Sequence, residues 1–116
     1  MSITIYHNPR CSKSRQTLAL LEEKNLDINV IEYLNVPPDA QTLKKVLGYL
    51  GLSPRELLRT HEAEYKQAGL DKDGVSDDQI IEAMIQYPKL IERPIVINGD
   101  KAAIGRPPET VLNILD

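Results

Sequence analysis

The order in which hydrophobic periodicity changes along the chain constrains its fold more than any single residue. Ile3 and Ile5, with Thr4 and Tyr6 interleaved, make a β-branched opening of period two, which suits a short strand. Pro9, within His7-Asn8-Pro9-Arg10-Cys11, stops it, because proline has no N–H to give to a ladder. Ser12 to Lys24 then reads as a helix, with Leu18 and Leu21 on one face and Ala19 and Leu20 widening it. Asn25 is its expected stop. Ile28, Val30 and Ile31 predict a second strand ending near Tyr33, and Pro37-Pro38 breaks it.

The middle of the chain changes to a helical period. Leu43, Val46, Leu47 and Leu50 fall at i, i+3, i+4 and i+7, behind Asp39 as a cap and ahead of Gly51 as a stop. Ser53-Pro54-Arg55-Glu56 and Ser76-Asp77-Asp78-Gln79 both read as capping boxes. The first opens a short helix to about Thr60, with another through Glu64 and Tyr65. The second opens a helix with Ile80, Ile81, Met84 and Ile85 inward. The strand period returns with Ile95, Val96 and Ile97 after Pro94. Asn98-Gly99 is a hairpin signal in which both central residues take positive φ. A return strand from Lys101 to Ile104 follows, then a helix from Pro107-Pro108 with Val111, Leu112 and Leu115 inward. The expected order is β-α-β, a helical middle, then a β-hairpin and a helix.

A chain of 116 residues fits one domain, residues 1–116, within the usual range of about 100–200 residues. Such a chain buries about 65% of its unfolded surface, enough for a core without staples. Lysine and arginine total 14 against 17 acidic residues, a net charge of -3, whereas a nucleic-acid binder usually carries a basic excess. No apolar run approaches the ~20 residues of a membrane span, and Met1 to Tyr6 lacks the pattern of a signal peptide. The expected setting is the cytoplasm, with neither membrane nor nucleic acid as partner.

Cys11 is the one cysteine. It can form no internal disulfide and no cysteine-based zinc site, and it suits a reducing compartment. Cysteine is often a small buried hydrophobe, but Arg10, Ser12, Lys13 and Ser14 around this one are polar. It lies after a strand and at the start of a helix, where free N–H groups and the helix dipole favour a thiolate. We therefore expect a solvent-accessible thiol whose pKa lies below its ordinary value. Ser14 makes the motif C-x-x-S, so a redox cycle needs an outside thiol. Thr17 stands six residues after Cys11, which removes the C-x5-R oxyanion loop. His7 is a candidate for orienting the loop, and His61, beside Glu62, reads as a surface residue. Two histidines without matching carboxylates argue against a metal site.

Arg59, Arg93 and Arg106 stand out by context. The last two sit in proline-bounded loops at strand ends, where sites tend to lie. Arginine offers a planar fork matched to oxyanions. Periodicity alone does not bring the three together.

The segments I-T-I-Y-H-N-P-R-C-S-K-S, L-L-R at 57–59, E-R-P-I-V-I at 92–97 and G-R-P-P-E at 105–109 resemble the glutaredoxin-linked arsenate reductase family (ArsC-like). The likeness runs in order from Ile3 to Leu115. Ser12-Lys13 stands where the best-known members carry Gly-Thr, and the chain resembles the shorter subgroup. The resemblance implies an α/β, thioredoxin-like fold with a helical insertion and a mixed central sheet of about four strands. It implies Cys11 as nucleophile, Arg59, Arg93 and Arg106 as holders of the oxyanion, and His7 and Ser14 as supports of the thiolate. It implies a cis Arg93-Pro94 bond beside the thiol, with Pro94 shaping the site. It further implies arsenate or a similar oxyanion as substrate, no bound cofactor, glutathione as co-substrate and glutaredoxin as partner. Two other readings share the fold. Regulators of the Spx group bind RNA polymerase, but they carry C-x-x-C and lack the full arginine set. A general glutathione-dependent thiol transferase turns over small mixed disulfides without any oxyanion.

Overall fold

The opening strand lies inside the sheet and is buried accordingly. The computed structural model describes residues 2–115. Among them β1 (Ser2–Tyr6) runs between β2 (Asp27–Ile31) and β3 (Ile95–Asn98), with β4 (Lys101–Ile104) outside β3, in the order β2-β1-β3-β4. β2 is parallel to β1, whereas β3 is antiparallel to both β1 and β4. The sheet is thus mixed and the fold α/β, the thioredoxin-like arrangement expected above. α1 (Ser12–Glu23) supplies the crossover that a parallel pair requires. It ends ahead of Asn25, which takes φ of 55°, a left-handed conformation that asparagine tolerates.

The chain divides into two compact units, one formed by residues up to Val36 with those from Arg93 onward, the other by Pro37–Glu92. In sequence the second is an insertion between β2 and β3. In the first unit Ile3, Ile5, Leu21, Val96, Ala103, Val111 and Ile114 form the core, with Leu18, Leu26, Ile28 and Leu115 packed against it. Each fully buried aliphatic side chain of this kind contributes about 1.5–3 kcal/mol.

Three details of this unit depart from the sequence reading. The buried face of α1 is Ser14, Thr17 and Leu21, while Leu18 is half-buried and Ala19 exposed. Polar residues take the deep positions because their hydroxyls are satisfied locally: Thr17 Oγ1 donates to the Lys13 carbonyl at 2.8 Å, and Ser14 is bonded as described below. The last helix, Pro108–Ile114, is a 3₁₀ helix. Its three residues per turn bury Pro108, Val111 and Ile114 and turn Leu112 out to 37% exposure. In the β3–β4 hairpin Asn98 pairs with Lys101, and of the turn residues only Gly99 has positive φ. Asn98 is held inward instead, where its Nδ2 donates to the Ile114 carbonyl at 2.7 Å.

The second unit holds α2 (Ala40–Leu50), α3 (Pro54–Leu57), α4 (Ala63–Gln67), α5 (Asp77–Gln86) and a 3₁₀ turn at Pro88–Leu90. Its caps follow the sequence closely. Asp39 accepts from the Thr42 N–H at 2.7 Å, Gly51 adopts the left-handed C-cap, and both capping boxes close. Leu43, Val46 and Leu47 of α2 and Ile80, Ile81, Ala83 and Met84 of α5 are buried. Leu50 and Ile85, expected inward, are half-buried. α3 stops at Leu57, short of Thr60, because Leu58 forms an antiparallel bridge with Ile91. The Arg59 N–H donates to the Leu90 carbonyl at 2.7 Å, and the Glu92 N–H to that of Leu57 at 3.0 Å.

Candidate active site

Where β1 ends, the chain turns through His7-Asn8-Pro9-Arg10 into the first turn of α1. Asn8 Oδ1 accepts from the Arg10 N–H at 3.0 Å, an Asx turn of the kind asparagine favours. The Cys11 N–H donates to the Asn8 carbonyl at 3.0 Å. Arg15 Nη1 reaches back to the Pro9 carbonyl at 2.9 Å and ties the loop to the helix. Cys11 is then the N-cap of α1, with φ of -98° and ψ of 124°.

That geometry aims free helix N–H groups at the sulfur. Burial pushes the Cys11 thiol up, but the Ser14 N–H, the Arg93 guanidinium by hydrogen bond and charge, and the Lys13 N–H outweigh it. The net result is a thiol held below its ordinary value, as expected. Arg106 Nη2 lies 3.7 Å from Cys11 Sγ. The expectation of a solvent-accessible thiol is corrected: Cys11 is only 9% exposed. The N-cap backbone turns its side chain onto the helix end, under two guanidinium groups.

The two arginines are linked to each other. Arg106 Nε donates to the Arg93 carbonyl at 2.8 Å. Arg93 Nε is buried and without a hydrogen-bond partner among the described residues. Both are followed by cis peptide bonds, Arg93-Pro94 as expected and also Arg106-Pro107. Between them, the Gly105 N–H donates to the Pro94 carbonyl at 2.9 Å. A Cβ on Gly105 would meet the Thr17 side chain and lie 2.9 Å from Pro94 Cγ, so this close approach requires glycine.

His7 and Ser14 stand one bond further out. His7 Nδ1 and Ser14 Oγ are 2.7 Å apart, and Ser14 Oγ also accepts from the Asn8 N–H at 2.9 Å. His7 is 7% exposed. Its burial lowers its pKa and Arg15 acts with that, while Glu32 and Glu22 pull the other way.

Cys11, Ser14, Arg93 and Arg106 are therefore gathered around one sulfur, with His7 bonded to Ser14 and Pro94 beside Gly105. Arg59 belongs to the second unit, where Nη1 donates to Glu92 Oε1 at 2.8 Å and Nε lies 4.0 Å from Glu62 Oε2. Among the described residues no cluster of three or more His, Cys, Asp or Glu could hold a metal ion, and no helix is long and apolar enough to cross a membrane. Two contributors escape sequence reasoning. Arg15 is a loop clamp hidden in a run of surface cations, and Gly105 carries only one signal, a glycine before Arg-Pro-Pro.

Comparison with known proteins places the chain by sequence and fold. The family model described as ArsC family matches residues 6–114. The YfgD protein of Escherichia coli strain K12 is 52% identical over 97% of this chain and 96% of its own length. An arsenate reductase of Haemophilus influenzae is 49% identical over 99% of this chain and 100% of its own. The solved structure of an arsenate reductase from Vibrio cholerae superimposes with a TM-score of 0.95 at 50% identity, covering 99% of this chain and 98% of that one. On sequence, fold and motif order together, the chain belongs to the ArsC family.

Proposed function

We propose that this protein is an arsenate reductase that works through a covalent adduct on Cys11. The observation that carries the reading is the lowered thiol with Arg106 Nη2 at 3.7 Å and Arg93 as its second cationic partner. A thiolate is the nucleophilic form of cysteine. Two guanidinium groups beside it can take an anionic substrate and the charge that develops on its oxygens. The buried Nε of Arg93 is a donor that a bound oxyanion would satisfy. Arg59 is assigned to the same anion by the likeness of its Leu57-Leu58-Arg59 segment to the family's.

In the proposed sequence Cys11 attacks arsenic and one arsenate oxygen leaves as water. Glutathione then adds to the adduct, and glutaredoxin completes the thiol exchange. Arsenic gains two electrons as two thiols become one disulfide, and arsenite is released. The second thiol comes from outside because Ser14 stands where a resolving cysteine would be. His7 and Ser14 support the thiolate, Pro94 shapes the loop beside it, and a lone free thiol assigns the protein to the reducing cytoplasm.

The test is reduction of arsenate with glutathione and glutaredoxin, run beside Cys11→Ser. Turnover that needs Cys11 and both thiol reagents is the expected result. Turnover that persists in Cys11→Ser, or without added thiol, overturns the mechanism. Indifference to arsenate, with turnover of a small mixed disulfide, replaces it by the thiol-transferase reading.

A further inference from the structure

A cavity of about 250 Å³ lies behind the thiolate loop, lined by His7, Asn8, Arg10, Glu32 and Asn35 among others. The mechanism above does not use it. Its position follows from the parallel ladder. β1 and β2 pair in register from Ser2 with Asp27 to Tyr6 with Ile31, and the His7 N–H continues the ladder by donating to the Ile31 carbonyl at 2.8 Å. One more step in that register puts Glu32 opposite His7. The two residues line this one polar space, and of the charges that act on the His7 ring that of Glu32 is the largest.

The hydrogen bonds at Ser14 restrict what that imidazole does. Ser14 Oγ accepts the Asn8 N–H at 2.9 Å and lies 2.7 Å from His7 Nδ1. A hydroxyl has one proton to give. If Nδ1 is bare, the hydroxyl donates to it while accepting from Asn8, and both bonds are satisfied at once. The proton of the neutral ring then belongs on Nε2, and a negative charge across the cavity favours it there. The charged groups that act on the ring besides Glu32 are Glu22, which works in the same direction, and Arg15, which opposes both. Arg10 lines the cavity with Glu32.

We propose that Glu32 is a positioning residue for the thiolate, acting through His7: its carboxylate keeps the ring proton on Nε2, leaves Nδ1 to receive the Ser14 hydroxyl, and so holds the Asn8–Ser14 loop in the shape that presents N–H groups to Cys11. The inference rests on the reading of Cys11 as the working thiolate. It needs no particular substrate.

The experiment is ¹⁵N NMR of the His7 ring in the full chain, with Glu32→Gln, Glu32→Asp and Glu22→Gln, beside the rate of Cys11 alkylation by neutral iodoacetamide. The wild-type ring is expected as the Nε2–H tautomer. Glu32→Gln should admit the Nδ1–H tautomer, lower the His7 titration midpoint and slow alkylation at pH 7 about threefold, the scale of an exposed charge pair. Glu32→Asp should restore both, and Glu22→Gln should leave the tautomer unchanged. A through-space charge effect alone has the opposite sign, since losing a nearby carboxylate makes a thiolate easier to form, so faster alkylation in Glu32→Gln overturns the proposal. A wild-type Nδ1–H ring, an unchanged ring in Glu32→Gln, or a fall in melting temperature with no change in tautomer overturns it equally. A wild-type chain that ignores arsenate defeats the reductase reading instead, and the ring spectra still decide the role of Glu32.

Discussion

Arg106 holds Cys11 and Arg93 with two nitrogens of one guanidinium edge: Nη2 is 3.7 Å from the sulfur and Nε donates to the Arg93 carbonyl at 2.8 Å. The fork is rigid, so fixing one nitrogen aims the other. Lysine in its place would keep the charge and lose the aim.

That relationship predicts a graded loss of thiol reactivity. Alkylation of the wild-type protein should reach half its maximum below the ~8.5 of a free thiol. Arg106→Ala should move that midpoint upward and slow alkylation at pH 7 about fivefold. That is less than a fully buried charge-assisted bond would give, because Arg106 is solvent-exposed. Identical pH profiles for the two proteins would show that the contact does not tune the thiol.

Substrate binding should separate the arginines from the cysteine. Arg93→Lys is expected to raise KM for arsenate about tenfold, roughly one good charge-assisted bond, with a smaller effect on kcat. On the proposed assignment of Arg59 to the same anion, Arg59→Lys should also raise KM in the same assay. An unchanged KM removes either residue from the substrate site.

Two glycine substitutions should go in opposite directions. Gly105→Ala drives a methyl into the Thr17 side chain and to 2.9 Å from Pro94 Cγ, and should destabilise the protein by about 2–3 kcal/mol. Gly48 lies within α2, and a methyl added there would meet nothing within 4 Å, so Gly48→Ala should stabilise by about 0.5–1 kcal/mol. Urea unfolding of both variants checks the pair. Equal signs would contradict the packing described for Gly105.

Acid should weaken the fold through two groups. His7 titrates below its ordinary 6.5 when folded, so near that value the unfolded chain binds more protons. Its contribution is complete above 6.5 and is lost as pH falls toward the lowered folded value. Cys11 is likewise lowered from an ordinary 9.0, so its contribution is complete above that value and is lost as pH falls through the folded one. His7→Asn should flatten the slope of stability against pH just below 6.5, and Cys11→Ser the slope just below 9.0. Chemical denaturation across that range reads both slopes.

Much of the fold is legible where local chemistry decides it. Asp39 and the two capping boxes start their helices where their side chains dictate, and Gly51 ends α2 because glycine takes positive φ without strain. The alternation marks a strand because Ile3 and Ile5 share the face that enters the core, while Ser2 is exposed and Thr4 half-buried on the other. Leu112 misleads because the expected period is 3.6 and the helix has three residues per turn. Asn98 misleads because a buried acceptor at Ile114 outcompetes the turn. Cys11 and Ser14 are legible as one turn of a helix, and their loop as a polar one. Their meeting with Arg93 and Arg106 is not, since it depends on β3 lying beside β1, and no pattern within either segment encodes that. The family resemblance supplies it.

Cys11 and Arg106 are 95 residues apart in sequence, and that separation has a consequence during synthesis. A ribosome delivers the cysteine early and both of its arginine partners late. Until the β3–β4 hairpin emerges and docks beside β1, the nascent chain carries a thiol with no guanidinium beside it. The guanidinium share of the thiol's activation is therefore missing from every copy cut short before Arg93, and only the share supplied by the start of α1 is within such a copy's reach.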